Sequence, residues 1–173
     1  MKQAGCWQIS FGIESGSQEI LALINKRISL DQIRKAVEMT REAGIHSKGF
    51  FIIGHPAETR ESIKRTIDFA IGLSLDDISV CLMTPFPGTE LYERAAEFGK
   101  FDSEWGGMNL LNVVFIPYGL TREELEQAQK ELIRRFYLRP RIMFNYGLRL
   151  LHNPAMAQGL WAGLRSLLKS IRS

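Results

Sequence analysis

Residues 49–59 read Gly-Phe-Phe-Ile-Ile-Gly-His-Pro-Ala-Glu-Thr, and they contain the main indication of the fold class. An apolar, β-rich run gives way to a turn with glycine and proline, and then to a threonine that precedes a segment with helical periodicity. Two further β-rich runs lie at Trp7–Ile13 and Ile78–Met83, each separated from the central run by a helical segment. Connections of this length imply parallel pairing with right-handed crossovers, so the sequence predicts a β-α-β-α-β unit of the α/β class.

The predicted strands are apolar at most positions, and we therefore expect both faces of the sheet to be covered. Three strands are too few to close a parallel barrel, and an open sheet of this kind leaves at least one apolar edge. We therefore expect that preceding strands are missing, and that Met1 is an internal methionine or the edge of an incomplete reading frame.

Capping signals indicate where the helices begin. Capping-box patterns occur at Ser29-Leu30-Asp31-Gln32 and Thr121-Arg122-Glu123-Glu124. Further helices are predicted from Ser17, near Thr59 and from Thr89, and the last of these is predicted to end at Phe98.

The region after the third strand is less regular. Residues 100–120 indicate a loop with a short strand at Val113–Ile116, the helix from Thr121 is expected to end at Pro140, and Pro154 is expected to begin a final helix. We predict two parts, an α/β core over residues 1–120 and a basic helical carboxy-terminal extension over residues 121–173.

The charge distribution separates the same two parts. Residues 1–120 carry 12 Lys and Arg against 15 Asp and Glu, a net charge of −3, whereas residues 121–173 carry 10 against 4, a net charge of +6. The basic part suits an anionic surface, such as lipid headgroups, nucleic acid or an acidic partner, and a solvated basic helix is the alternative. No stretch of about 18 uncharged apolar residues and no apolar leader occur, so a cytoplasmic location is expected.

The residues that follow the predicted strands are candidates for a binding site, because ligands of parallel α/β folds gather at the carboxyl ends of strands. Glu14 lies between two glycines, where a carboxylate can accept hydrogen bonds from a diol or an ammonium group; support of the next helix is the alternative. His55 is interpreted as a loop histidine, since no second ligand lies at metal-binding spacing. Cys6 and Cys81 are expected to be buried free thiols, and neither predicts a disulfide or a metal site.

Four motifs, in this order, resemble the radical S-adenosylmethionine superfamily. They are Phe11-Gly-Ile-Glu-Ser-Gly-Ser17, Asn25-Lys26-Arg27, Phe50-Phe-Ile-Ile-Gly-His-Pro-Ala-Glu58 and Thr84-Pro-Phe-Pro-Gly-Thr89. The resemblance implies strands four to six of a partial parallel (β/α) barrel. The Thr84–Thr89 turn and Arg135-Phe-Tyr-Leu-Arg-Pro140 are similar to the branch whose members often carry a cobalamin-binding domain, that of the anaerobic magnesium-protoporphyrin cyclase and several methyltransferases.

The resemblance also implies roles in binding S-adenosylmethionine. Glu14, with Ser15 beside it, corresponds to the residue that binds the ribose hydroxyls, and Lys26 or the neighbouring Arg27 corresponds to the residue on the cofactor's carboxylate. The remaining candidates correspond to the adenine-binding part, which comprises the hydrophobic motif Ile52, Ile53 and Gly54, its trailing acidic residue Glu58, and the backbone at Met83 and Thr84.

Two features depart from the superfamily's pattern. The Cys-x-x-x-Cys-x-x-Cys motif and the glycine-rich motif that follows it are absent from the sequence, so ligands for a 4Fe-4S cluster are lacking here. His55 stands where an apolar residue is usual. We therefore expect the isolated chain to be inactive and to need the missing amino-terminal half of the same enzyme as its partner.

The function that the resemblance implies is that of a fragment. The full-length parent would cleave S-adenosylmethionine to a 5′-deoxyadenosyl radical for methylation or rearrangement of a small-molecule substrate, with cobalamin as a candidate second cofactor. A non-catalytic half-barrel that binds or scaffolds is the alternative. No nucleic-acid partner is expected.

The tail provides a separate hypothesis about the membrane. Residues 155–171 have a broad apolar stripe that includes Met156, Leu160 and Leu164, with Arg165, Lys169 and Arg172 off the stripe. Such a helix suits the interface of an anionic membrane, and packing against protein is the alternative that base rates favour.

Overall fold

The computed structural model of the chain describes residues 1–104 and 108–152. A short 3-10 turn at Lys2–Ala4 precedes the regular elements. In chain order these elements are β1 Gln8–Glu14, α1 Gln18–Leu23, α2 Leu30–Glu42, β2 His46–Ile53, α3 Arg60–Gly72, β3 Asp77–Leu82, α4 Glu90–Phe98, β4 Gly99–Phe101, β5 Phe115–Pro117, α5 Arg122–Tyr137 and α6 Pro140–His152.

The main sheet has three parallel strands in the order β1-β2-β3. Each crossover between neighbouring strands contains one or more helices, as parallel pairing requires. The register shifts between Gly12 and Glu14, where β1 ends against β2. The predicted α/β class and the parallel arrangement of the three strands are confirmed.

The sheet has two unlike faces, and among the described residues only one of them is covered as expected. One face is buried and apolar, with Ile13, Phe51, Ile53, Val80 and Leu82 at most 5% exposed. The alternate positions are half-buried or exposed, and they include Ser10, Gly12, Lys48, Phe50, Asp77, Ser79 and Cys81. Four of these, Ser10, Lys48, Asp77 and Ser79, have polar or charged side chains. We call this second side the open face. Its side chains lie opposite those of the buried face, because side chains alternate along each strand.

The helix boundaries follow the capping signals. Gln32 N–H donates to Ser29 Oγ at 3.1 Å, and Ser29 N–H donates to Gln32 Oε1 at 2.8 Å, which completes the predicted capping box of α2. Thr121 and Glu124 make the equivalent pair at the start of α5. One face of α5 is buried and consists of Leu125, Ala128, Leu132 and Phe136.

Two predictions on the chain after β3 need correction. The strand predicted at Val113–Ile116 is β5, which spans Phe115–Pro117 and pairs antiparallel with the unpredicted β4. A two-stranded ribbon of three residues per strand carries too little periodicity to read from sequence. Pro140 begins α6 as well as ending the preceding helix, because proline is tolerated at the first helical position. The final helix predicted from Pro154 lies outside the described residues.

The chain divides into two compact units, Met1–Leu132 and the part from Ile133 onwards. The first unit holds both sheets and most of α5. Both cysteines are free thiols, as expected, but they are half-buried where buried thiols were expected. None of the helices in the described ranges combines the length and apolar character that crossing a lipid bilayer requires.

Candidate functional site

The carboxyl end of β1 carries a paired carboxylate and ammonium group. Glu14 Oε1 lies 3.1 Å from Lys26 Nζ, and the two side chains are 20% and 34% exposed, so the pair is partly shielded from solvent. Glu14 and Lys26 are 12 positions apart in the sequence, and α1 with the turn after it brings them into contact. The structure thus brings together the two charged residues that the sequence predicts for opposite ends of one ligand.

The backbone at these residues is strained. Among the described residues other than glycine, positive φ occurs at Glu14 (68°), Asn25 (56°) and Ala57 (59°). Left-handed conformations disfavour a side chain with a Cβ atom, and such residues concentrate at functional sites. Each of the three is a candidate site residue or directly precedes one, since Asn25 precedes Lys26 and Ala57 precedes Glu58.

Ser15 serves the turn after β1. It is fully buried, and its Oγ lies 3.0 Å from Thr66 Oγ1 and accepts a hydrogen bond from Ser17 N–H at 3.1 Å. Gly16 N–H also donates to Thr66 Oγ1, at 3.0 Å. These contacts fix the turn to α3, so the Ser15 side chain is engaged in holding Glu14 in place and is directed into the protein.

Arg27 stands apart from the pair. It is exposed and helps to line a shallow hollow that also includes Gln18, Asn25, Lys26 and Gln32. The nearby amino terminus of α2 already has partners, because Leu30 N–H donates to Gln18 Oε1 in addition to the capping box. Arg27 therefore offers an exposed cation near Lys26, and among the described residues no salt bridge to it is found.

The turn after β2 contains the remaining candidates. Ile52 is half-buried on the open face, where it pairs in register with Cys81, whereas Ile53 is fully buried on the helix-covered face. Gly54 has φ of 94°, which explains the glycine, and a Cβ there would lie 3.6 Å from Met83 Cβ. Met83 N–H donates to Ile53 O at 2.8 Å, so the ends of β2 and β3 are joined directly.

Thr84 and its loop close the outer edge of β3. The Thr84 side chain is buried, and its Oγ1 donates to Asn109 O at 3.1 Å. Leu82 N–H donates to Leu110 O at 2.8 Å, and Gln129 Nε2 donates to Val80 O at 2.9 Å. Only the backbone at Thr84 is therefore left for a ligand.

Glu58 turns back into its own loop. Its carboxylate is 2% exposed, and Oε2 accepts hydrogen bonds from Gly54 N–H at 2.5 Å and His55 N–H at 3.1 Å. Thr59, and not Glu58, caps α3 by accepting from Ser62 N–H. The Glu58 carboxyl group thus organises the Gly54 turn through these two hydrogen bonds.

Burial shifts the titration of two neighbouring residues in opposite directions. Desolvation raises the pKa of Glu58 to about 7, against the two backbone hydrogen bonds that lower it. Desolvation lowers the pKa of His55 to about 4. His55 does lie in the loop, as interpreted, but it is 2% exposed, and within the described residues neither ring nitrogen has a hydrogen-bond partner.

Glu58→Gln is expected to change how stability depends on pH. In the folded wild type Glu58 holds a proton between about pH 4.5 and 7 that the unfolded chain has lost, so its contribution to stability falls as pH rises through this window. Glutamine does not titrate, so in the variant this decrease in stability with pH is absent. Its free energy of unfolding should therefore gain on the wild type by up to about 3 kcal/mol between pH 4.5 and 7, as measured by urea denaturation.

His55→Leu is the matched variant with the opposite sign. The folded histidine lacks a proton that the unfolded one holds between about pH 4 and 6.5, so its contribution rises with pH. The free energy of unfolding of His55→Leu should thus gain on the wild type as pH falls. Parallel stability curves for the three proteins would contradict the burial of both groups.

The sequence analysis missed several residues of the open face. Lys48 Nζ lies 3.5 Å from Asp77 Oδ2 and 5.4 Å from the centre of the Phe50 ring. Cys81 is on the same face, and burial, followed by the charge of Glu14, raises the pKa of its thiol. The signal was present in the alternation of Ser10 with Gly12, Lys48 with Phe50, and Ser79 with Cys81 at every second position.

The described residues fit one of the implied cofactors in part and do not fit the other. Glu14 offers a partly shielded carboxylate for a diol, and Lys26 and Arg27 offer cations for a carboxylate, which suits the two polar ends of S-adenosylmethionine. For a 4Fe-4S cluster, no group of three or more His, Cys, Asp or Glu side chains in the described ranges is placed to hold a metal. No step involving a cluster can be derived from this chain.

Comparisons with known proteins agree with the motifs. Residues 1–70 match the radical SAM superfamily domain. The chain is 38% identical over 144 residues to an uncharacterized methyltransferase of Pyrococcus horikoshii, covering 83% of this chain and 31% of that protein. It is 30% identical over 146 residues to the anaerobic magnesium-protoporphyrin IX monomethyl ester cyclase of Cereibacter sphaeroides, covering 84% of this chain and 23% of the cyclase.

A further relative and a solved structure point the same way. The bacteriochlorophyllide d C-12(1)-methyltransferase of Chlorobaculum tepidum is 29% identical over 143 residues, covering 82% of this chain and 31% of that enzyme. The archaeal Elp3 of Methanocaldococcus infernus has a TM-score of 0.55 at 21% identity, covering 80% of this chain and 28% of that chain, and it supports the fold alone. This chain thus spans about a third or less of the proteins it matches. It carries part of a radical SAM superfamily domain, and its resemblance to the branch of the magnesium-protoporphyrin cyclase is confirmed.

Proposed function

We propose that this chain is the S-adenosylmethionine-binding second half of a radical SAM enzyme that methylates or rearranges a small molecule. The observation that carries the proposal is the Glu14–Lys26 pair at the carboxyl end of β1, within the segment that matches the superfamily domain. A carboxylate and a cation at the end of a parallel strand suit a ligand with a ribose diol at one end and an amino-acid carboxylate at the other.

The proposal assigns the chemistry to two sources. In the full-length parent, S-adenosylmethionine held by this chain would be the source of a 5′-deoxyadenosyl radical. An electron from a 4Fe-4S cluster held by other parts of the polypeptide would break its carbon–sulfur bond and release methionine. The residues of this chain bind and orient: Glu14 accepts from the ribose hydroxyls, Lys26 or Arg27 meets the carboxylate, and the Gly54 turn with Ile52 and the Met83 and Thr84 backbone lies along the adenine. The cluster ligands and any cobalamin belong to other parts of the polypeptide.

The relatives support methylation or ring chemistry as the class of reaction. Two of them are named as methyltransferases, and a third as a cyclase of magnesium-protoporphyrin IX monomethyl ester. The proposal includes contact of residues 155–173 with a membrane, which would give the enzyme access to an apolar substrate. Flotation of the protein with anionic and neutral vesicles, with and without residues 155–173, decides that part.

The genomic sequence upstream of the Met1 codon tests whether a catalytic parent exists. The proposal expects an in-frame Cys-x-x-x-Cys-x-x-Cys motif followed by a glycine-rich segment. An in-frame stop codon that excludes any such motif would favour the other interpretation, a non-catalytic half-barrel that acts as a binding or scaffold module.

Glu14→Ala is expected to weaken binding of S-adenosylmethionine by about 1–3 kcal/mol, measured by calorimetry on the full polypeptide that the upstream reading frame encodes. The reason is that a partly shielded carboxylate which receives ligand hydrogen bonds is removed. Glu19→Ala is the matched control, because Glu19 lies on α1 and pairs with Arg65 on the surface. Equal affinity of Glu14→Ala and wild type would return Glu14 to a structural role.

A further inference from the structure

The Glu14–Lys26 pair lies directly over a glycine. A Cβ atom at Gly12 would lie 2.7 Å from Glu14 Oε1 and 3.1 Å from Lys26 Nζ. Both distances are shorter than an ordinary contact with a methyl group. A side chain at position 12 would therefore require Glu14 Oε1 and Lys26 Nζ to move from their present positions.

The backbone directs both side chains to this space. Glu14 has φ of 68°, and the register of β1 against β2 shifts between Gly12 and Glu14, so the Glu14 side chain folds back over the strand that precedes it. On the other side, Asn25 has φ of 56° and Lys26 N–H donates to Leu21 O at 2.8 Å, which fixes the Lys26 backbone to the end of α1. The chain thus adopts two unfavourable left-handed residues around one contact.

We propose that Gly12 and Lys26 are positioning residues for the Glu14 carboxylate, an inference that rests on the proposed binding of S-adenosylmethionine. Gly12 provides the space on the strand, and Lys26 Nζ holds Oε1, which leaves the remaining acceptor positions of the carboxylate for a ribose diol. In this arrangement Lys26 affects ligand binding through Glu14. The resemblance alone implies instead that Lys26 binds the carboxylate of the cofactor directly.

The two roles of Lys26 predict different responses to a ligand without a carboxylate. Adenosine has the ribose diol and the base of S-adenosylmethionine but lacks its amino-acid part, and 2′-deoxyadenosine also lacks one hydroxyl of the diol. If Lys26 positions Glu14, Lys26→Met should weaken adenosine as well as S-adenosylmethionine. If Lys26 only meets the cofactor's carboxylate, adenosine should bind Lys26→Met and wild type equally.

The first experiment tests the geometry without any ligand. In a crystal structure of the Gly12→Ala chain, the new methyl group should separate Glu14 Oε1 from Lys26 Nζ beyond the distance of about 4 Å that defines an ion pair. The fold should persist, because the atoms that the methyl group meets are the ends of two flexible side chains. An unchanged pair overturns the proposal. If Gly12→Ala fails to fold, the structure of Lys26→Met replaces it, and a Glu14 carboxylate that stays in place there overturns the proposal as well.

The second experiment measures the preference for the diol by NMR titration with adenosine and 2′-deoxyadenosine. Wild type should bind adenosine at least about tenfold more tightly than 2′-deoxyadenosine, because the deoxy compound lacks one hydrogen bond to a charged group. Gly12→Ala and Lys26→Met should lose this preference. Gly72→Ala is the control and should keep it, since a Cβ there would meet nothing closer than Arg34 Nη1 at 4.0 Å. A preference that survives in Gly12→Ala, or adenosine affinity unchanged in Lys26→Met, overturns the proposal.

Failure of the proposed function looks different. If wild type shows no diol preference and no affinity for S-adenosylmethionine, the assignment of this segment to cofactor binding is wrong, and the positioning of the Glu14 carboxylate as a ligand-binding group falls with it. The crystal structure of Gly12→Ala would then still show whether Gly12 makes the space for the pair.

Discussion

Phe51→Ala should lower the free energy of unfolding by about 3–5 kcal/mol, a large part of the stability of a chain of this size. Phe51 is fully buried on the central strand β2, on the face that the helices cover. Removing its ring leaves a cavity in a region where Leu75 and Ile13 also converge around Gly49. Urea denaturation of the purified chain, followed by circular dichroism, measures the loss.

Phe50→Ala is the matched control for this prediction. Phe50 is the neighbouring residue of the same type, but it lies on the open face and is 38% exposed. Its replacement should cost less than about 1.5 kcal/mol, since part of the ring is in water before the change. Equal losses for Phe50→Ala and Phe51→Ala would mean that the two faces of the sheet are equally covered, contrary to the structure.

Gly16→Ala should destabilise the fold by about 3 kcal/mol, because the added methyl group meets backbone. A Cβ at position 16 would lie 2.6 Å from Phe69 Cβ, 2.7 Å from Thr66 Cα and 2.9 Å from Arg65 O. The turn after β1 would have to move away from α3 and would lose the hydrogen bond from Gly16 N–H to Thr66. Thermal and urea denaturation measure the effect.

The control for Gly16→Ala is Gly72→Ala at the end of α3. The new methyl group there is in nearly open space, and alanine favours the helix over glycine by up to about 1 kcal/mol. This variant should be as stable as wild type or slightly more stable. If Gly16→Ala were equally well tolerated, the close approach of the turn to α3 would be wrong.

The main elements of the fold were predictable from the sequence because they depend on local signals. Apolar runs gave the three strands, and Ser29 and Thr121 marked the helices that begin beside them. Other features depend on contacts between distant residues, and these were missed. The ribbon of β4 and β5 joins Gly99 to Pro117, and each strand has only three residues. The open face was hidden because Phe50 and Ile52 made β2 look apolar on both sides.

The site was predictable in part. Glu14 and Lys26 were chosen for opposite ends of a ligand, and no sequence rule indicated that they meet, since the contact depends on left-handed backbone at Glu14 and Asn25. Gly12 lies within one of the four motifs, but the need for glycine at this position becomes clear only when a Cβ atom is placed on the folded backbone. Glu58 was assigned by resemblance, whereas its hydrogen bonds to Gly54 and His55 follow from the way the loop closes on itself.

The pKa of His55 is lowered and the pKa of Glu58 is raised, and together these shifts affect the exchange of protons on folding. Near pH 5.5 the unfolded chain holds a proton on His55 and almost none on Glu58, and the folded chain has the reverse arrangement. Folding therefore moves nearly one proton from the histidine to the carboxyl three positions later, and these two residues together take almost nothing from the buffer. The heat of unfolding that they contribute is then nearly independent of the buffer's own ionisation enthalpy, although both residues change their charge.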